Sequence, residues 1–70
     1  MYIGGEQTVD LKGRRLAAGL SQLALAEQAN VSLSLVRKVE YGQRKPSVKV
    51  AKKIATVLKF DWTDFFKETA

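Results

Sequence analysis

Apolar residues along this chain recur at helical spacing, and polar residues divide them into five short segments. The clearest apolar stripe recurs every three or four residues and comprises Val48, Ala51, Ile54, Ala55 and Leu58. Residues at that spacing lie on one face of a helix. Alternation of apolar and polar residues never persists long enough to favour a strand. The pattern therefore predicts an all-α protein with five helices joined by short loops.

Capping and turn-forming residues set the expected helix limits. Side chains that can accept a hydrogen bond from the first helical turn precede four of the segments: Asp10, Ser21, Ser32 and Ser47. Residues that tolerate a left-handed backbone follow three of them: Gly19, Asn30 and Gly42. We therefore expect the first four helices to end near Ala18, Ala29, Glu40 and Leu58.

The same pattern predicts the core and the ends of the domain. The expected inward positions of the first three helices are Leu11, Leu16, Leu25, Ala26, Val36 and Val39. Asp61, with Asp64 three residues later, is similar to a capping box and predicts a last short helix containing Phe65 and Phe66. Residues 1–9 lack such signals, so we expect a loosely held N-terminal segment followed by one domain over residues 10–70.

Composition narrows the possible functions. A chain of 70 residues forms one small domain, and 46% hydrophobic residues suffice for one core. Cysteine and histidine are both absent, which removes disulfides, thiolate ligands, the usual zinc ligand and the usual general base. We therefore expect no enzyme, no metal, no cofactor and no small-molecule ligand. The apolar runs are too short to span a bilayer, no secretory signal is present, and the lack of cysteine fits a reducing cytosol.

Positive charge is concentrated in the middle of the chain. Residues 10–60 contain eleven lysines and arginines but three acids, which gives a net charge of +8. Seven of those basic residues lie between Arg37 and Lys53, where Glu40 is the one acid. Such a concentration is typical of a protein that binds a polyanion, and equally of a well-solvated surface.

The second and third predicted helices match the spacing of a helix-turn-helix unit. Counted from Gln22, Ala26 is fifth, Asn30 ninth, Val36 fifteenth and Val39 eighteenth. Two helices crossing steeply over a short turn leave room for only a small residue at the fifth position. The ninth residue adopts a left-handed backbone, and the two valines hold the second helix against the first.

Residues 11–66 resemble the phage Cro and repressor-like helix-turn-helix family, also called the XRE family. The matching stretches are Gly-Leu-Ser-Gln at 19–22, Leu-Ala-Glu at 25–27, Val-Ser at 31–32, Val-Glu-x-Gly at 39–42, Lys-Pro-Ser at 45–47 and the Phe-Phe after Asp64. The resemblance implies a five-helix, lambda-repressor-like bundle that binds double-stranded DNA. It implies a cytoplasmic, nucleoid-associated transcriptional regulator, either a repressor of a phage or mobile element or a small bacterial regulator, acting as a homodimer.

Site residues follow from the resemblance position by position. It implies DNA contacts from the start of the second helix, the exposed face of the third and the loop after it, which comprise Gln22, Ser32, Leu33, Ser34, Arg37, Lys38, Tyr41, Gln43 and Arg44. Lys49 begins the next helix beside that loop and is a further candidate for a backbone contact. Arg15 and Glu40 match a family pair that forms a structural salt bridge.

Two leucines depart from the commoner family pattern. Leu33 and Leu35 cannot hydrogen-bond to base edges, although Leu33 could contact thymine methyl groups. Leu33 could equally be solvent-exposed or lie in a protein interface, whereas Leu35 is expected to turn toward the protein. Arg37 and Lys38 then become the candidates for guanine recognition, with phosphate contact as the alternative.

Several positions and functions stay open at this stage. Lys52 and Lys53 are interpreted as a solvated face. Trp62, Phe65 and Phe66 fit either a core or a dimer surface. On the same scaffold the chain could be an antitoxin, a restriction-modification controller or a phage excision factor. An alternative of another class is a protein-interaction bundle that no longer binds DNA.

Overall fold

A computed structural model describes residues 9–66 as a helical protein in which this part of the chain contains no strand. Its elements are α1 (Leu11–Ala17), α2 (Gln22–Ala29), α3 (Leu33–Glu40), α4 (Val48–Leu58) and a 3₁₀ helix (Trp62–Phe66). The all-helical prediction is confirmed, but residues 9–66 form four α-helices, not five. The fifth segment closes with an i to i+3 bond, in which Asp64 N donates to Asp61 O at 3.0 Å, so these five residues form a 3₁₀ helix and not an α-helix. None of these helices is long and apolar enough to cross a membrane.

All four α-helices begin at the predicted capping residues. Backbone N–H groups of the first turns donate to side-chain oxygens of Asp10, Ser21, Ser32 and Ser47 at 3.0, 3.0, 3.1 and 3.2 Å. The Asp10 cap explains the glycine inside α1, because a Cβ at Gly13 would lie against the Asp10 carboxylate. At the start of the 3₁₀ helix, Asp61 Oδ1 accepts from Thr63 N at 3.0 Å.

The four α-helices also end alike, each at a residue with positive φ: Gly19, Asn30, Gly42 and Lys59. After each, the next N–H bonds back to a carbonyl five residues earlier, as from Val31 to Ala26 at 2.9 Å. Three of these ends were predicted. Lys59 (φ 62°) was not, because lysine gives no sequence signal for a left-handed backbone.

The core lies where α2, α3, α4 and the 3₁₀ helix meet, with α1 packed against α3. Its fully buried side chains include Leu11, Leu25, Val36, Val39 and Ile54. At the α2–α3 crossing Ala26 is 2% exposed, as expected for a position where only a small residue fits.

One core prediction was wrong. Leu16 is 57% exposed, because Leu11 and Arg15 occupy the inward face of α1 and Leu16 lies about 100° further round the helix. Val48 is 48% exposed at the first turn of α4. Val9, which precedes α1, is buried at 4% exposure and belongs to the core. The rest of the predicted N-terminal segment, residues 1–8, and the last residues, 67–70, lie outside the described part of the chain.

Replacing Lys59 by glycine is expected to stabilise the protein. A residue with a side chain pays about 1–2 kcal/mol to adopt the left-handed backbone, and glycine avoids this penalty. Part of the gain is lost because glycine has greater conformational freedom in the unfolded chain. The free energy of unfolding should therefore rise by about 0.5–1 kcal/mol, measured by urea denaturation. Lys53→Gly, inside α4, is the matched control and should lower it by about 1 kcal/mol. A loss of stability in Lys59→Gly would contradict the prediction.

Candidate nucleic-acid interface

Helix α3 has one face fixed in the core and one face turned outward. Val36 and Val39 are fully buried and hold it against α2. Ser34, Arg37 and Lys38 are exposed on the opposite side. The helix therefore presents a short polar surface on a rigid base, as the resemblance to the helix-turn-helix family implies.

A buried ion pair connects α1 to the last residue of α3. Arg15 Nε lies 2.5 Å from Glu40 Oε2, and the two side chains are only 8% and 1% exposed. Arg15 Nη2 donates to Glu40 Oε1 at 3.3 Å, and Arg15 Nη1 donates to the Leu20 carbonyl at 2.8 Å. The resemblance to the helix-turn-helix family implies a salt bridge between these two residues. Their contact fixes the position of α3 relative to α1.

Gln22 extends this pair to the outer face of α3. Its Nε2 donates to Glu40 Oε1 at 3.1 Å, and its Oε1 accepts from Arg37 Nε at 3.4 Å. The sequence places Gln22 and Arg37 separately in the DNA contacts but gives no sign that they touch each other. Fifteen residues separate them, and only the crossing of α2 over α3 brings them together.

The N-terminal part of α3 divides between capping, packing and exposure. Ser32 Oγ accepts the capping bond from Leu35 N, which leaves its own O–H as a donor. Leu33 is half-buried and packs against the core, so only part of it could meet a thymine methyl group. Leu35 also packs against the core, as expected.

The segment after α3 carries exposed polar and aromatic side chains. Tyr41 is 65% exposed, and Gln43, Arg44 and Lys49 are exposed as well. The backbone here is held by the bond from Gln43 N to Lys38 O at 2.9 Å. The predicted contact residues of this segment therefore all face outward from an ordered turn.

Burial of Glu40 changes the electrostatics of the surface. It is the one acid between Arg37 and Lys53, and its charge is paired inside the protein with Arg15. The basic residues of this segment that are exposed comprise Arg37, Lys38, Arg44, Lys45, Lys49 and Lys52. Residues 37–53 consequently present cations to solvent without an exposed acid among them.

Two lysines lie over the aromatic rings near the C-terminus. Lys52 Nζ is 5.1 Å from the Trp62 ring centroid, and Lys45 Nζ is 5.7 Å from that of Phe66. Lys52 was interpreted from the sequence as part of a solvated face, but its ammonium group also lies over an aromatic ring. Phe65 is 5% exposed and belongs to the core, so the prediction that it lies on a dimer surface was wrong. Trp62 and Phe66 are half-buried and retain exposed surface.

Comparisons with known proteins agree with this geometry. The helix-turn-helix family model HTH_3 matches residues 11–65. An uncharacterized HTH-type transcriptional regulator of Bacillus subtilis (strain 168), YqaF, is 45% identical over 58 residues, which cover 83% of this chain and 76% of that protein.

Two solved structures are also similar. The restriction-modification controller protein C.AhdI from Aeromonas hydrophila is 37% identical with a TM-score of 0.74, over 84% of this chain and 89% of that one. An HTH_3 family transcriptional regulator from Vibrio cholerae is 32% identical with a TM-score of 0.71, over 84% of this chain and 33% of that one.

Truncating Glu40 should destabilise the protein strongly. Glu40→Ala leaves the Arg15 guanidinium buried without its carboxylate, which costs about 3–5 kcal/mol. Urea denaturation followed by circular dichroism measures the change. Glu27→Ala, which removes an exposed carboxylate from α2, is the control and should change stability by less than about 0.5 kcal/mol. Equal stabilities of the two variants would show that the ion pair contributes nothing.

Proposed function

Because the chain belongs to the HTH_3 helix-turn-helix family, we propose that it binds double-stranded DNA at specific sequences and regulates transcription. We propose that it acts in the cytoplasm, on the nucleoid. On this proposal the protein is a binding module and not an enzyme.

The observation that carries the proposal is the cationic surface of residues 37–53. The one acid of this segment is buried against Arg15, while six cations are exposed on α3, the following turn and α4. A surface of one sign attracts a polyanion, and the exposed face of a fixed helix fits the major groove.

The exposed side chains take different roles in this proposal. Arg37 and Lys38 reach base edges, where a guanidinium can bind guanine O6 and N7 together. Leu33 contributes its exposed part to a thymine methyl contact. The remaining contacts are to phosphates and set the register on the duplex, and they come from Gln22, Ser32, Ser34, Tyr41, Gln43, Arg44 and Lys49.

A narrower candidate is control of a restriction-modification system. The likeness to the controller protein C.AhdI covers 89% of that chain, with 37% identity and a TM-score of 0.74. The discriminating observation is whether sites selected from genomic DNA lie upstream of restriction and modification genes or beside other promoters.

We also propose that the protein acts as a homodimer. One α3 covers few base pairs, and a two-fold dimer would place two such helices about 34–36 Å apart on one face of DNA. The exposed parts of Trp62 and Phe66 are the proposed contact surface, since Phe65 is already buried in the monomer. Lys45 and Lys52 lie against these rings and would shield their faces in the free protein.

Binding should weaken steeply with salt. If each subunit contacts about four to six phosphates, log K should fall against log salt with a slope near −0.9 per phosphate. Fluorescence anisotropy on a labelled duplex of random sequence measures this slope. An affinity that stays flat between low and moderate salt would eliminate DNA as the partner.

Arg44→Ala should reduce the magnitude of this slope by about 1 per bound subunit, because it removes one phosphate contact from each subunit. Lys12→Ala removes the same charge from the exposed side of α1, outside the proposed interface, and is the matched control. It should leave the slope unchanged. The same change in both variants would indicate a diffuse charge effect and no defined phosphate contact at Arg44.

Removing the exposed aromatic surface should dissociate the dimer. Trp62→Ala and Phe66→Ala should each shift the free protein at micromolar concentration toward monomer in analytical ultracentrifugation, since each removes apolar contact area. Tyr41→Ala is the control. Tyr41 is also an exposed aromatic residue, at 65%, but it lies outside the proposed dimer surface, so its removal should leave the dimer intact. A dimer unchanged by both substitutions would place the interface elsewhere, and a monomer that stays monomeric on a palindromic site would refute the dimer.

A further inference from the structure

Leu33 is the apolar side chain that lies beside the exposed polar face of α3. It is half-buried and packs against the core, whereas Ser34, Arg37 and Lys38 are exposed. At about 100° per residue, Arg37 lies only about 40° from Leu33 around the helix and one turn further along it. Leu35, which is also half-buried, lies about 160° from Arg37, toward the other side. A base edge that faces Arg37 would therefore meet Leu33 as its apolar neighbour.

The position of Leu33 is fixed from two sides. It is the first residue of α3, whose first turn is capped by the bond from Leu35 N to Ser32 Oγ at 3.1 Å. Its inner part packs against the core cluster, so the side chain is already ordered in the free protein. The first residues of a helix that enters the major groove come closest to the base edges. An apolar contact made from this position costs little additional conformational entropy.

A leucine side chain can detect only one feature of a pyrimidine in the major groove. It has no donor and no acceptor, so it cannot distinguish the O4 acceptor of thymine from the N4 amino group of cytosine. The feature that it can contact is the methyl group on C5 of thymine. 5-Methylcytosine carries the same methyl group on the same carbon. For Leu33, thymine and 5-methylcytosine are therefore equivalent, and unmodified cytosine lacks the group that is bound.

The exposed neighbours of Leu33 suit a methylated cytosine well. Arg37 and Lys38 carry donors alone, and guanine presents two acceptors, O6 and N7, in the major groove. Adenine presents one acceptor there and a donor that these residues cannot use. Because guanine is the base-pair partner of 5-methylcytosine, acceptors for a basic residue and a methyl group for Leu33 occur together on that base pair.

We propose that Leu33 makes the protein sensitive to DNA methylation: it binds a site carrying 5-methylcytosine more tightly than the same site carrying unmodified cytosine. The methyl group that Leu33 contacts is supplied either by the base sequence, as thymine, or by enzymatic modification of cytosine. Base sequence alone then does not determine where the protein binds. This inference rests on the proposed DNA binding.

The test uses pairs of duplexes that differ in a methyl group alone. The wild-type protein first selects a site from random, unmodified duplexes of about 30 base pairs, long enough for two half-sites one turn apart. Each thymine of one half-site, with its counterpart in the other, is then replaced by deoxyuridine, which lacks the methyl group. At one such position the affinity should fall by about tenfold, because each buried methyl group contributes roughly threefold.

At that position, cytosine and 5-methylcytosine are then compared, each opposite guanine. The methylated duplex should bind more tightly by about the same factor as thymine over deoxyuridine, because the same methyl group is added in both cases. Equal affinities for the cytosine and 5-methylcytosine duplexes would overturn the inference and leave DNA binding established. Failure of the wild type to select any site would overturn the proposed function itself.

Leu33→Ala tests whether this leucine is the group that contacts the methyl. The shorter side chain cannot reach the base, so both affinity ratios should fall to about 1, measured below the melting temperature established by circular dichroism. Leu16→Ala, which shortens a leucine 57% exposed on α1, is the matched control and should keep both ratios. Ratios that persist in folded Leu33→Ala would overturn the role of Leu33, since the methyl group would then act through the duplex or another residue. If that variant does not fold, Leu33→Asn, similar in shape but without methyl groups, is judged by the same criterion.

Discussion

The buried contact between Arg15 and Glu40 constrains the rest of the structure. Two charges that are 8% and 1% exposed must satisfy each other, because an unpaired charge in that environment is strongly unfavourable. A pair of this kind adds little free energy compared with apolar residues of the same size, yet it tolerates few arrangements. The placement of α1 against the end of α3 brings the guanidinium within hydrogen-bonding distance of both the carboxylate and the Leu20 carbonyl. Because the ion pair fixes where α3 lies, it also fixes where the exposed face of α3 lies.

The burial of one charge determines the charge of the surface around it. Withdrawing Glu40 into the protein removes the one acid from a segment rich in lysine and arginine, and the carboxylate there also orients Gln22. The supporting residues lie inside and the exposed residues of α3 lie outside, and Gln22 bonds to one member of each set, Glu40 and Arg37. Lys45 and Lys52 also lie over aromatic rings, so two of the basic residues of this segment contact Phe66 and Trp62 as well.

Local chemistry made most of the fold predictable. The four capping side chains and three of the four left-handed ends depend only on neighbouring residues, and all are present. Errors arose where the outcome depends on distant packing. Leu16 is exposed because a charged residue, Arg15, takes the inward place on α1, and Lys59 adopts a left-handed backbone that its side chain does not favour. In the candidate site, the resemblance named the residues, whereas the link from Gln22 to Arg37 needed the α2–α3 crossing.

Leu33 stands at the boundary between the two sides of α3. It is half-buried against the core and half-turned outward, at a position where many family members carry a polar or basic residue. Ser34 and Lys38 can vary without disturbing the interior, because they are exposed. On the proposed function, a polar residue in place of Leu33 offers hydrogen bonds to bases and loses packing at the same time. A change of recognition sequence and the stability of the folded state then place opposing demands on this position.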